Sequence, residues 1–492
     1  MINDLIFKKP EEEGIDSQHI INFIEDIRDM NENVHSLLIA RHGNIVAETY
    51  CKPFDENFLH RIYSSSKTIV ALAIGKLIGE GIIKLEDKIM DLLPEYANEE
   101  AHEWLKNTTV EDALKMSVPM LTDTYYARDY KEWAWTFFNH PTRSKALKPA
   151  GTIFNYNTSG TFILDVVVEK LSGKNFVEYL RPEFDKIGVS KDVWCVKSPD
   201  GFAWGGSGVC CTLGDFANIA ELLLHKGEYK GEQLIPKWYM EKATSKQISN
   251  FGGNYFSNLL SYGYGYQIWV HKYGYAMLGM GLQVAFIFPE KDLIIALQGD
   301  TQGSGGADNK IYHSFVREVY KKIQDKPLET DNYEKLKEKL DNFELQTGFG
   351  EKHVEKEKFV NGKRYVLEEN PMGWKWFEFS FGEDDGKLVY ENERGVKTIT
   401  FGLDSYVAGT FPETHYYGKQ VDEPQGREQN ALTYACWIDD NSILIRNFIV
   451  DSSLGLCWMR FGFKGDEVGV AMNKVAEFFM NEYIGFAGGR IE

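Results

Sequence analysis

The run Tyr63-Ser64-Ser65-Ser66-Lys67 is followed by eleven residues, Thr68 to Ile78, that carry a single charge, Lys76. So long an apolar stretch, closed by Gly79-Glu80-Gly81, reads as a helix buried on nearly every side. The fold must therefore wrap a core around a helix that begins beside a serine and a lysine. Residues i and i+3 share a helix face, so the Ser64 hydroxyl and the Lys67 amine can touch. A serine hydroxyl becomes a nucleophile when a neighbouring base takes its proton. An amine desolvated beside a positive helix N-terminus loses affinity for its own proton. The spacing thus offers a nucleophile and its base within one turn. Chance alone places Ser-x-x-Lys about once or twice in a chain of this length, and a surface serine and lysine is the competing reading. Here the pattern occurs once, and the apolar run behind it sets Lys67 against a core.

A chain of 492 residues exceeds one ordinary core, so two domains are expected. The boundary falls near the polar stretch Gln324 to Thr330, giving expected domains of 1–325 and 326–492. A net charge of -19 argues against nucleic acid and anionic membrane as partners. The six cysteines, Cys51, Cys195, Cys210, Cys211, Cys436 and Cys457, have neither metal nor redox spacing and read as buried thiols in a reducing compartment. No apolar signal core or membrane-length stretch is present, which makes a cytoplasmic location the expectation. No cofactor is implied. The glycine-rich Trp204-Gly205-Gly206-Ser207-Gly208 matches neither a P-loop nor a dinucleotide fingerprint and reads as a structural turn. No Gly-x-Ser-x-Gly elbow occurs, which counts against an α/β-hydrolase.

In chain order, Asp16 or Ser17 caps a helix with the stripe Ile20, Ile24, Ile27. Val34 to Ala40 and Ile45 to Tyr50 form a hairpin around Arg41-His42-Gly43-Asn44. After the Ser64 helix, Ile82 to Tyr96 is an acidic connector, and Asn107 to Met116 a short helix capped by Thr108 or Thr109. Tyr125, Tyr126, Tyr130, Trp133, Trp135, Phe137 and Phe138 make an aromatic segment, either a packed core or one wall of an acyl pocket. Turn formers from Pro149 to Gly160 surround Tyr156 and lead into a helix over Phe162 to Leu171. Thr212 and Asp215 suggest a capping box. Gly263 to Val270 and the span Tyr273 to Leu297 read as strands, with a Pro289-Glu290-Lys291-Asp292 turn, and Asn309 to Ile323 as a helix. A charged helix, Asn332 to Phe343, links to the second domain. From Lys363 onward, short alternating runs separated by turn residues predict an antiparallel sheet closing into a barrel or sandwich.

Taken together, these stretches resemble the serine β-lactamase and penicillin-binding-protein superfamily, in its class C-like branch of D-alanyl-D-alanine carboxypeptidases, D-aminopeptidases and esterases. The resemblance covers about residues 5 to 325. It rests on Pro10-Glu11-Glu12-Glu13-Gly14-Ile15-Asp16, Tyr63-Ser64-Ser65-Ser66-Lys67, Leu92-Leu93-Pro94-Glu95, Gly151-Thr152-x-Phe154-x-Tyr156 and Pro289-x-x-Asp292-Leu293. It implies an α+β β-lactamase/transpeptidase-like domain, followed by a lipocalin-like antiparallel β-barrel.

The same resemblance implies roles. Ser64 is the acylated nucleophile, and Lys67 with Tyr156 moves its proton. The backbone N–H groups of Ser64 and Met280 form the oxyanion hole. Asn157, Thr158, Met277 and Gly279 fall at substrate-binding positions, and no metal is involved. Two positions depart from the family pattern. Thr158 stands where the second motif has Asn, with Asn157 one place early. Met277 stands where the third motif has Lys or His, the cation that holds a substrate carboxylate. The expectation is therefore a serine hydrolase acting on a small ester, amide or short peptide, with weak or absent β-lactamase activity. The alternative is a non-hydrolysing binder or sensor that keeps the fold. The sequence leaves a homo-oligomer open.

Overall fold

The computed structural model describes residues 6–125, 132–252, 259, 261–302, 304–345, 347, 350–412, 428–476 and 480–492. Tyr126 and Tyr130 lie outside these residues. The main break between two compact units falls between Glu344 and Leu345.

The first unit is built on a seven-stranded sheet in the order Ile6–Phe7, Asn44–Tyr50, Val34–Arg41, Leu293–Gly299, Gln283–Phe288, Gly274–Gly279, Trp269–His271. All pairings are antiparallel except that of the short first strand. Both faces are covered, and alternate residues of each strand serve opposite cores. Leu37, Ile39, Val284, Phe286 and Ile295 pack with Ile20, Ile24 and Ile27 of the helix Ser17–Asp29 and with Ile311 and Phe315 of the helix Ala307–Glu318. The other face meets the helix Leu213–Leu224, whose start is fixed by the Thr212–Asp215 capping box. The expected cap at Asp16 is present, its carboxylate accepting from the Gln18 N–H. The helix Tyr333–Asp341 packs on the first unit because Leu336 and Leu340 join the same core.

The Ser64 segment runs as a 3-10 turn, Tyr63–Ser65, into the helix Ser66–Gly79. That helix is buried nearly throughout, as its composition demands. It packs against the helix Thr158–Ser172, and Tyr239 donates to the Ala71 carbonyl at 2.7 Å. One expected strand is absent. Gly263 to Val270 is mostly a loop, and only Trp269–His271 joins the sheet. Gly263 and Gln267 take positive φ, 126° and 58°, which no strand accommodates. The Gln267 N–H donates instead to Leu114, and the Tyr266 N–H to Ala243.

The second unit is a ten-stranded sheet, antiparallel between successive neighbours, in which Gly395–Gly402 also pairs in parallel with Gln429–Asp439, at Gly402 and Tyr434. That pairing closes a nine-stranded barrel and leaves Val407–Phe411 outside the ring. The barrel expectation holds. Three strands of the sheet, Val407–Phe411, Glu467–Ala476 and Gly485–Ile491, fall outside the alternating runs expected from the sequence. The last reads Gly-Phe-Ala-Gly-Gly-Arg-Ile, too poor in apolar residues to signal a half-buried strand. Inside, Trp374 stacks on Tyr390 at 3.9 Å, and Phe461 meets Phe377 and Phe379 at 4.8 and 4.9 Å. Side chains fill this stretch of the interior, as the geometry of a small barrel allows.

Three histidines of the first unit, His35, His60 and His271, are buried. Burial holds His60 and His271 down at about 3, and burial with the neighbouring His60 holds His35 well below its usual range. The unfolded chain binds those protons near pH 6.5. Between about pH 6.5 and 3 the unfolded state therefore carries more protons, and stability falls as pH falls, by about 1.4 kcal/mol per pH unit for each histidine. Urea unfolding at pH 7, 6 and 5 should show a steady loss, and His60→Asn should flatten the slope. A level profile across that window would contradict this reading.

Candidate active site

From His60 to Gly75 every residue is buried except Ser64, which is partly exposed. The chain presents this one side chain because the preceding residue bends sharply. Tyr63 sits at φ 45°, a left-handed conformation that costs a bulky residue roughly 1–3 kcal/mol and persists only when its surroundings enforce it. The three serines then do different things. Ser65 donates to the Gln283 carbonyl at 2.7 Å, fastening the turn to the sheet. Ser66 accepts from the Val209 N–H at 3.1 Å. Ser64 is left facing Lys67, whose amine lies 3.0 Å from its Oγ.

Lys67 is 1 % exposed. Its amine also donates to the Gly206 carbonyl and stands 5.2 Å from the centre of the Tyr156 ring. Tyr156 is half-buried and stacks on Trp269 at 5.4 Å. The structure thus brings Ser64, Lys67 and Tyr156 together. The glycine-rich turn is structural, and it also supplies the acceptor for the lysine. Gly206 is required there, since a Cβ would lie 2.4 Å from Thr158 Cγ2.

The edge of the sheet runs along the nucleophile turn. Gly279 permits this: a Cβ on it would lie 2.2 Å from the Ile62 carbonyl oxygen. Met280 follows at the end of that strand, 39 % exposed. Met277 is fully buried in the same strand. Asn157 caps the helix Thr158–Ser172, its carboxamide oxygen accepting from the Gly160 N–H at 3.1 Å. Thr158 is buried against Gly206. Tyr125, Trp133, Phe137 and Phe138 are buried as well; Tyr125 stacks on Trp133 at 4.4 Å, and Trp133 meets Trp204 at 5.4 Å. The described part of the aromatic segment is mainly core.

Two further residues belong to this site and had no signal in the sequence. Asp123 is half-buried at the start of the Thr158–Ser172 helix, accepting from the Ser159 N–H at 2.9 Å. Burial raises its carboxyl, while the Ser159 N–H and the charge of Lys67 oppose that rise. The carboxylate is therefore within electrostatic reach of the lysine. Gln267, in its left-handed conformation, accepts from Thr68 on its backbone carbonyl at 2.9 Å. Its side chain accepts from Thr161 at 2.7 Å and donates to Ala113 at 2.8 Å. One residue thus locks the nucleophile helix to the helix that follows Tyr156.

The chain resembles known proteins. The 6-aminohexanoate-dimer hydrolase of Paenarthrobacter ureafaciens is 25% identical over 227 residues, which are 42% of this chain and 56% of that enzyme, so the chain spans little more than half the relative's length. The octameric penicillin-binding protein homologue from Pyrococcus abyssi shares the fold, with a TM-score of 0.50 at 16% identity over 96% of this chain and 99% of that one. No helix among the described residues is long and apolar enough to cross a membrane. The Beta-lactamase family model matches residues 25–314, more than half of the chain, and the chain belongs to this family of serine hydrolases.

Proposed function

We propose that this protein hydrolyses small esters or amides through an acyl-enzyme on Ser64, with Lys67 and Tyr156 as the proton-transfer pair. The observation that carries the reading is a single accessible hydroxyl on an otherwise buried segment, 3.0 Å from a buried amine. In the first half-reaction the Ser64 oxygen bonds to the substrate carbonyl carbon and its proton passes to Lys67 Nζ. The carbonyl electron pair moves onto oxygen, where the N–H groups of Ser64 and Met280 receive it. One such donor is worth about 3 kcal/mol in the transition state. The proton then passes through the Tyr156 hydroxyl to the leaving nitrogen or oxygen as that bond breaks. Water enters, gives its proton to the same pair and releases the acyl group.

Charge points to the substrate. Where the family resemblance places a cation for a substrate carboxylate, Met277 is apolar and buried. Within electrostatic reach of Lys67 stands a carboxyl group, Asp123. When ionised it favours a substrate bearing an ammonium group over one bearing a carboxylate.

With p-nitrophenyl acetate and butyrate, Ser64→Ala should abolish turnover. Lys67→Met and Tyr156→Phe should each lower kcat by roughly 10²- to 10⁴-fold. A wild-type protein inert toward both esters and toward aminoacyl anilides would sink the hydrolase reading. Asp123→Asn should raise KM for a 6-aminohexanoyl anilide by about tenfold more than it raises KM for p-nitrophenyl butyrate, the loss of roughly 1.4 kcal/mol of ionic contact. An equal effect on the charged and neutral substrates would rule Asp123 out as the ammonium contact.

A further inference from the structure

Arg61 is 0 % exposed and lies three residues before the nucleophile. Its guanidinium sits 4.6 Å from the centre of the Tyr63 ring and 4.6 Å from that of Trp204. Its Nε donates to the Ser207 carbonyl at 2.8 Å, and its Nη2 to the Ser207 hydroxyl at 3.3 Å. A buried arginine is costly unless its donors are met. Here they hold a turn, and the neighbouring residue of that turn, Gly206, accepts from the Lys67 amine.

The contact belongs to a longer antiparallel stitch. His60 and Arg61 pair with Cys211 and Cys210. The Ile62 N–H donates to the Val209 carbonyl at 2.8 Å, and the Val209 N–H returns to the Ser66 hydroxyl at 3.1 Å. Lys67 then reaches Gly206. Along this stitch, the Arg61 side chain reaches the turn at Ser207, next to the Gly206 that accepts from the lysine. It also stacks on Tyr63, whose left-handed backbone lifts Ser64 out of the core. From the other flank the buried Asp165 accepts from the Gly205 N–H at 3.2 Å. The turn is thus held on both sides, and its carbonyl has little freedom to follow the lysine if the lysine moves.

We propose that Arg61 is a positioning residue for the Lys67 base. It fixes the Trp204–Gly208 turn so that the Gly206 carbonyl takes one amine hydrogen and leaves the nitrogen lone pair to face Ser64. This rests on the acyl-enzyme reading above. Arg61 acts through Ser207 and Gly206, and touches no substrate. Its permanent positive charge is held by the same turn that accepts from the Lys67 amine, and a like charge nearby disfavours the charged form of that amine. Lysine cannot replace it, because a single ammonium lacks the planar fork that meets two Ser207 oxygens and stacks between two rings.

The test is the rate at which a fluorophosphonate labels Ser64, followed by intact mass from pH 5 to 10. Wild type, Arg61→Met and Arg61→Lys are compared, with thermal melts on each. Arg61→Met should lower the plateau rate at least tenfold and move the rise in rate upward by about one pH unit. Arg61→Lys, which keeps the charge and loses the fork, should lower the plateau and leave the position of the rise unchanged. If Arg61→Met is too unstable to measure, the Arg61→Lys result alone decides. A plateau at the wild-type level in Arg61→Lys would overturn the proposal. So would an Arg61→Met variant whose labelling falls only with its folded fraction, at an unshifted pH. Wild type labelled normally with unaffected variants sinks this inference alone. Wild type that is never labelled at Ser64 sinks it together with the hydrolase reading.

Discussion

Lys67 is 1 % exposed, and much of the surrounding structure answers to the cost of burying it. Taking an ammonium out of water costs several kcal/mol even after the protein relaxes. The chain meets that demand with oxygen atoms from different places: the Ser64 hydroxyl one turn back and the Gly206 carbonyl far along the chain. Each must be delivered by its own piece of fold. Ser64 is delivered by a strained bend at Tyr63, and Gly206 by a turn too crowded for any side chain at that position.

The serine run shows how closely packing and chemistry are divided. Ser65 and Ser66 are chemically identical to Ser64, yet each hydroxyl is committed to a backbone partner, Gln283 on the sheet and Val209 beyond the turn. Those bonds leave Ser64 as the accessible hydroxyl of the segment. They also tie the segment to the strand Gln283–Phe288, which pairs with Gly274–Gly279, and to Val209, just beyond the turn that accepts from Lys67. Gly279 lets its strand approach within contact of Ile62. The proposed oxyanion donors and the proposed base are thereby referenced to the same short stretch of backbone.

Much of the fold was legible in the sequence because it follows from periodicity. The apolar run after Lys67, the stripe Ile20–Ile24–Ile27 and the alternation in the barrel all signal burial through local pattern. The contact between Ser64 and Lys67 was legible too, because three residues of spacing suffice to pair them. What could not be read is long-range. Asp123, Gln267 and Arg61 lie in stretches with no motif, and their roles arise from contacts 36 to 199 residues away in sequence. Gln267 was assigned to a strand because its neighbours are apolar and aromatic. Its left-handed φ, imposed by bonds to other elements, overrode that pattern. The strand Gly485–Ile491 escaped for the opposite reason: barrel closure, not side-chain propensity, makes it a strand.

The central claim is that Ser64 carries the acyl group during turnover. Acid quenching of the protein mixed with p-nitrophenyl butyrate, followed by peptide mass mapping, tests it directly. A butyryl group, about 70 Da, on the peptide containing Ser64, absent in Ser64→Ala and longer-lived in Tyr156→Phe, is the predicted result. Turnover of the ester with no acyl group on that peptide, or with the group on another residue, would contradict the account.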